Sequence, residues 1–487
     1  MEKVDIMRKK RFLSILLSGI FGVAFFVSCG ENVGDFTNSS DSNIQSSAQD
    51  STSGDSLEHT HDYGNVWENN AYTHWRVCEC GEKADLDKHT GEATCTEKAV
   101  CTVCGKSFGN ISGHTYGELM DIQQGVKGYS CGKCGNSTPL ATIEKDNGEK
   151  VEGLLDFVVE VETGRDPIVL QLSDPQLMNL SQAEDRCYKY IRETISETNP
   201  DLILITGDLV YGQYDPTGEI WTEFISFMEG FEIPWAPVLG NHDNECAKGA
   251  EWQNEQLENA KYCLFERGSV TGNGNYSVGV LQGDTLLRVF YMMDTHGCLR
   301  TAGFTEDQID WYESSIKEIR KVESGVQLSF AYHIQQAYFI KAYGKYGDLG
   351  DGSSVQENPV NFDALEGVEE GDFGYLGRAM KSAWDTDYRI FMAMKQLGVD
   401  SIFCGHEHCN SASVVFEGIR FQYGQKSSTY DRYNAVDKDG NIIGSYGTTG
   451  TTPLIGGTVF LLSQTDGAII DPHIYLYGDV LGTNPKS

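Results

Sequence analysis

An α/β fold that carries its chemistry along one edge of a sheet is predicted by two features of the sequence. Between about residues 150 and 425, short apolar runs alternate with stretches of helical periodicity. The principal runs also stop at a carboxylate, an amide or an imidazole. Open α/β sheets bind ligands beyond the carboxyl ends of their strands, so polar residues at those ends mark a site. The clearest case is Pro237-Val238-Leu239-Gly240-Asn241-His242-Asp243, an apolar run closed by glycine and followed by three polar groups.

The elements follow in order. Phe157–Val161 reads as an edge strand. Pro167–Ser173 reads as a buried strand that ends at Asp174-Pro175-Gln176. Ser181 with Glu184 three residues later forms a capping box, and Tyr188, Ile191 and Ile195 give the helix behind it an apolar face. Leu202–Ile205 is a second buried strand, ending at Thr206-Gly207-Asp208. A helix near Glu219–Glu229 leads to the run that ends at Asn241. Residues 251–267 look helical. Tyr276–Val280 and Leu286–Met293 look like a hairpin that ends near Asp294 and His296. Thr305 with Gln308 opens another capped helix, to about Val322. Val326–Tyr332 delivers His333. A helix over 378–398 precedes Ser401–Cys404, which delivers Gly405-His406-Glu407-His408. Beyond it, Ser413–Val415, Ile419–Tyr423, Val459–Leu462 and Ile474–Tyr477 alternate like antiparallel strands.

The N-terminal third is different. Arg8–Arg11 is a basic run and Phe12–Val27 an apolar one, too short for a comfortable membrane span. The apolar run closes on Phe26-Val27-Ser28-Cys29, which resembles a bacterial lipobox. Residues 1–29 are therefore expected to be an export signal. A lipidated Cys29 would tether the chain to the membrane at the bacterial cell surface. Residues 30–57 are Ser, Asn, Asp, Gly and Thr with few apolar side chains, a composition that cannot bury a core and reads as a flexible linker.

Residues 58–138 hold a cysteine and histidine repeat. His61-Asp62-Tyr63-Gly64 recurs as His114-Thr115-Tyr116-Gly117, each followed 17 residues later by a cysteine pair. Two readings of these thiols stand: ligands of structural zinc, or disulfides. The regular histidine spacing favours zinc. One grouping takes His61, Cys78, Cys80 and His89; another takes Cys95, Cys101, Cys104 and His114. The six cysteines after Val151 are irregularly spaced and read as buried thiols. The net charge of −34 disfavours nucleic acid and favours cations.

The strand ends from 150–487 together present Asp174, Gln176, Asp208, Asn241, His242, Asp243, His333, His406 and His408. Such a mixed oxygen and nitrogen set suits Mn, Fe, Zn or Mg, and one shared carboxylate would hold two ions close together. Asp174-x-Gln176, Gly207-Asp208, Gly240-Asn241-His242-Asp243, His333 and Gly405-His406-x-His408 resemble the five blocks of the calcineurin-like metallophosphoesterases. The resemblance spans about residues 165–425. It implies a four-layer α/β/β/α sandwich, preceded here by the small Cys/His modules. It implies Asp174 and His408 on a first metal, Asp208 bridging, and Asn241, His333 and His406 on a second. A hydroxide between the metals would attack phosphorus in a small phosphomonoester or phosphodiester. His242 would stabilise charge on the phosphoryl group or protonate the leaving oxygen, with Asp243 orienting it. Gln176 departs from the histidine common in the family; it is expected as a weaker metal ligand or a substrate contact. The long Gly-rich and acidic insertion after His333 reads as a lid or a surface loop, with Tyr343, Tyr346, Asn361, Phe362, Phe373 and Tyr375 as candidate contacts. A second reading makes the chain a surface binding protein, in which the Cys/His repeats act and the phosphoesterase fold is only weakly active.

Overall fold

A computed structural model describes residues 60–145, 147–178, 181–296, 303–346, 360–362, 365–377, 388–427, 433–436, 442–446 and 455–476. The export signal, Cys29 and the linker lie outside the described residues, as do the side chains of Ser181 and Glu184 and residues 378–387 of the expected 378–398 helix. The chain divides into two compact units, one ending at His114 and one beginning at Thr115. Among the described residues no helix is long and apolar enough to cross a membrane.

The unit from Thr115 is built on two sheets. The five-stranded sheet has the order Trp235–Val238, Leu202–Thr206, Ile168–Leu172, Gly456–Leu462, Ile469–Leu476. Its first three strands are parallel and the last two antiparallel. The seven-stranded sheet runs Phe157–Val161, Tyr276–Gln282, Thr285–Met292, Gln327–Ala331, Val399–Cys404, Ile419–Tyr423, Ser413–Phe416. Thus the C-terminal strands expected as one antiparallel group are shared between both sheets. Ile419–Tyr423 pairs in parallel with Val399–Cys404, while Gly456–Leu462 closes onto Ile168–Leu172.

The two sheets face each other through apolar side chains. Phe290 and Phe403 from one sheet meet Phe460 from the other, with ring centroids 5.0–6.4 Å apart. Each such ring, fully buried, contributes a few kcal/mol against truncation. Outside the five-stranded sheet lie helices Ser181–Thr198, Glu219–Glu229 and Ala250–Asn259, whose buried residues share this core. Outside the seven-stranded sheet lie Glu306–Val322, Tyr338–Tyr343 and Arg389–Gln396, around a second core. The expected α/β/β/α sandwich is therefore present. Thr305 and Gln308 make the predicted capping box. The expected helix over 251–267 stops at Asn259, because Ala260 turns extended and Cys263 bridges to Trp235.

Thr115 onward also includes the last part of the Cys/His stretch. Met120–Gln123, Val126–Ser130 and Ser137–Pro139 form a small antiparallel sheet. Its Tyr129 is buried in the second core, and the Tyr129 hydroxyl donates to Glu323 over 2.8 Å. The division between units thus falls inside the repeat rather than at its end.

Candidate metal centre

The parallel strands of both sheets end near one another, and the polar residues after them converge. Asp174 follows Ile168–Leu172, Asp208 follows Leu202–Thr206, Asn241 follows Trp235–Val238, His333 follows Gln327–Ala331 and His406 follows Val399–Cys404. Four of the residues at these ends have left-handed backbones: Asp174, Gln176, Asp208 and His406. That conformation costs about 1–3 kcal/mol for a residue with a side chain and persists where the surroundings impose it. Here it turns the backbone sharply just beyond the strands. Two glycines permit the crowding. A Cβ on Gly207 would lie 2.3 Å from His333 Nδ1, and one on Gly240 would lie 2.1 Å from Asp208 Oδ1.

Two donor groups result, and they overlap at one carboxylate. Asp208, His333 and His406 form one, and Asp174, Asp208 and His408 the other, each with ligand atoms within 4.8 Å. His333 Nε2 is 3.3 Å from Asp208 Oδ2, and His408 Nε2 is 3.3 Å from Asp174 Oδ1. Asn241 Oδ1 lies 3.1 Å from His333 Nε2 and 2.9 Å from His406 Nδ1. Those two ring nitrogens are themselves 3.3 Å apart. His333 Nδ1 donates to the Thr206 carbonyl over 2.8 Å, which leaves Nε2 with a lone pair aimed at the cluster. Carboxylates, an amide oxygen and imidazole lone pairs gathered on common points are what divalent cations require, so this donor set fits two of them. The arrangement brings together Asp174, Asp208, Asn241, His333, His406 and His408.

The electrostatics agree. Burial disfavours a charged His333, yet Asp208, Asp174 and the Thr206 carbonyl together outweigh it and raise the His333 pKa to about 10. The buried carboxylates thus favour positive charge at this point, the charge a bound cation would supply. Burial and the neighbouring His333 push His406 down to about 3. Burial works against ionisation of Asp208, but His333, His242 and His406 hold its carboxyl well below the usual range. Asp174 is likewise lowered by His408 against the effect of burial.

Gln176 reaches the site by its amide nitrogen, which donates to Asp208 Oδ2 over 3.0 Å. In this arrangement it braces the shared carboxylate. His242 is anchored by its backbone N–H, which donates to Asp208 Oδ1 over 2.8 Å. Asp243 does not orient the His242 ring, contrary to expectation. Its carboxyl oxygens accept from the backbone N–H groups of Val210 and Gly240 at 3.0 and 2.8 Å. Burial, and then Asp208, raise its pKa to about 8. Asp243 therefore ties the Asn241 turn to the loop after Asp208. The ring of His242 is held by two residues the sequence reading missed. Its Nδ1 is 2.9 Å from Glu245 Oε2, and its face stacks on Tyr211 at 3.9 Å between centroids. Glu245 was findable, because Asp243–Glu245 form one 3-10 turn that brings the third residue beneath His242. Tyr211 carried no signal.

Other expectations change. Tyr343, Phe362, Phe373 and Tyr375 are buried and do not offer themselves to a leaving group. The Tyr343 hydroxyl donates to the Ala412 carbonyl, and its ring stacks on Tyr423. His296 pairs with Gln308 over 2.9 Å, while Gln308 donates to Asn275 and to the Asp294 carbonyl, a network that fixes the hairpin end. Cys187, Cys246, Cys263, Cys404 and Cys409 are buried thiols, as expected. Of the two zinc groupings expected from sequence order, the first keeps only His61, Cys78 and Cys80 together, and the second separates Cys101 and Cys104 from Cys95 and His114. His89 leaves His61, Cys78 and Cys80 and joins Cys101 and Cys104, with His74 in place of Cys95 and His114.

Residues 168–410 match the family profile described as calcineurin-like phosphoesterase. This part of the chain is a calcineurin-like metallophosphoesterase domain. The chain is 24% identical over 242 residues to "Phosphatase DCR2" of Saccharomyces cerevisiae, covering 47% of this chain and 39% of that protein. It is 41% identical over 253 residues to "Probable inactive purple acid phosphatase 28" of Arabidopsis thaliana, covering 48% of this chain and 60% of that one. The chain thus spans less than two thirds of the length of these relatives. Among solved structures, a dimetal phosphatase from Danio rerio aligns at 9% identity with a TM-score of 0.37, covering 64% of this chain and 99% of that one.

Proposed function

We propose that the chain is a dimetal-dependent hydrolase of small phosphomonoesters or phosphodiesters. The observation that carries this reading is Asp208, one carboxylate common to two donor groups on strand ends of two sheets. Asp174, His408 and Asp208 would hold one ion, and Asp208, Asn241, His333 and His406 the other. Manganese, iron, zinc or magnesium suits this set. When bound, such ions supply an activated hydroxide at neutral pH and offset charge on the phosphoryl oxygens. The protein's own part is to position and to move a proton. Asp208 orients His242 through the backbone, and Glu245 occupies Nδ1. Nε2 is then left to donate a hydrogen bond to a phosphoryl oxygen or a proton to the leaving oxygen, worth about 10²–10⁴ in rate. Gln176 keeps the shared carboxylate in place. The test is the purified chain, assayed with p-nitrophenyl phosphate and its bis ester across Mn, Fe, Zn, Mg and Ca. Two equivalents of metal at this site, and a turnover loss of about 10²–10³-fold in His242→Ala with metal content unchanged, are the expected results. No hydrolysis of either ester with any metal sinks the reading.

The location of this activity is part of the same proposal. The basic and apolar run before Cys29 supports export and a lipid tether at a bacterial surface. Incorporation of labelled fatty acid by the native chain, lost in Cys29→Ser, is the expected result; equal labelling of both excludes the tether at Cys29.

A further inference from the structure

Among its described residues, the unit that ends at His114 has almost no apolar interior. Six side chains are buried among its described residues: His74, Cys78, His89, Cys95, Ala99 and Cys101. Five of the six are cysteine or histidine. A stretch of this size cannot fold on one buried alanine, so something other than apolar burial must hold it.

We propose that His74, His89, Cys101 and Cys104 form a structural zinc site that staples this unit. Their ligand atoms all lie within 4.8 Å of one another. Cys101 Sγ is 3.6 Å from His74 Nδ1, and Cys104 Sγ is 3.4 Å from His89 Nδ1. Two thiolates and two imidazoles make the tetrahedral, soft set that zinc prefers. The surroundings orient these ligands. His89 Nε2 donates to the Asn70 carbonyl over 3.0 Å, so Nδ1 presents its lone pair to the sulfurs. The backbone at Cys101-Thr102-Val103-Cys104-Gly105 folds into a tight loop. There the Cys101 N–H donates to the Lys106 carbonyl, and the Gly105 N–H donates to the Cys101 carbonyl, at 2.8 and 2.9 Å. Cys101 and Cys104 are separate thiols in the structure. The ligands come from separate places in the chain. His74 stands on the strand Thr73–Val77, His89 follows the strand Lys83–Lys88, and the two cysteines follow the strand Ala99–Val100. One ion therefore joins a hairpin to a loop, and the two thiols release their protons as it binds.

His74 makes the assignment testable, because no grouping by sequence order contains it. The whole protein, reduced and stripped of metal, is titrated with Co²⁺ and then Zn²⁺. The thiolate-to-cobalt charge-transfer band is recorded, since the oxygen and imidazole donors of the phosphoesterase centre give none. His74→Ala is expected to bind one zinc equivalent fewer and to lose part of that band. His74→Cys is expected to restore the equivalent with a stronger band, which separates a lost ligand from a misfolded unit. The proposal is overturned if His74→Ala keeps the native stoichiometry and spectrum, or if His74→Cys fails to restore binding. It is also overturned if peptide mapping without reductant finds Cys101 joined to Cys104 in the native protein.

Discussion

The interiors of the two units are made of opposite materials. From Thr115 onward, two large apolar clusters fill the space between and outside the sheets, and the polar groups collect at one sheet edge. Among the described residues up to His114, all the buried side chains but Ala99 are themselves cysteine or histidine donors. The same kind of residue therefore does two jobs. In the large unit, donors are gathered by a fold that already stands, and a left-handed backbone at Asp174, Gln176, Asp208 and His406 shows the fold imposing their geometry. In the small unit the donors have no such frame, and with the proposed zinc bound, binding free energy would become folding free energy. Ligand chemistry follows the same division: oxygen and imidazole at the strand ends, sulfur and imidazole in the small unit.

Metal removal should break that comparison most visibly. Chelation is expected to unfold residues 60–114, a loss on the order of 10 kcal/mol, while the large unit loses activity and keeps its cooperative melting transition. Hydrogen exchange checks both at once. Protection that survives chelation around Cys101, or that vanishes from Ile203 and Phe403, would show the division to be wrong. If reductant rather than chelator removes it, disulfides hold the small unit.

Asp208→Asn comes next. Turnover should fall by at least about 10³-fold with both bound ions weakened, because one carboxylate serves both groups. A variant that loses only one equivalent would show that Asp208 is not shared. Phe403→Ala asks the converse question of the frame. The ring is buried between the sheets against Phe290 and Phe460, so the large unit should lose about 3–5 kcal/mol of stability in a denaturant titration. Zinc bound by the small unit should not change. Glu245→Gln is the smallest. It keeps an acceptor for His242 Nδ1 and removes the charge, so kcat should fall less than about tenfold with metal content intact. A shift of the alkaline limb of its pH profile would separate orientation of His242 from a purely structural role.

The strand-end residues were legible because each closely follows a continuous apolar run, the local mark of a strand buried on both faces. Asp174, Asp208, Asn241, His333 and His406 could be located one element at a time. Which residues support them was less legible. Asp243 sits beside His242 in sequence, yet its carboxyl turns to the backbone of Val210 and Gly240, while Glu245 and Tyr211 hold the ring. The aromatic residues of the insertion looked like contacts for a ligand because composition alone does not distinguish a lid from a core.

Sequence by itself determined the layered α/β class, the succession of strands along the chain up to Cys404 and the donors at their ends, because strand burial and turn chemistry are written in neighbouring residues. Tertiary structure decided which donors meet. His89 lies closer in sequence to Cys80 than to Cys101, and it still packs against Cys104 with His74 and Cys101. The reason is geometric: a hairpin and a loop bring distant residues within a few ångströms, and spacing along the chain does not encode that approach.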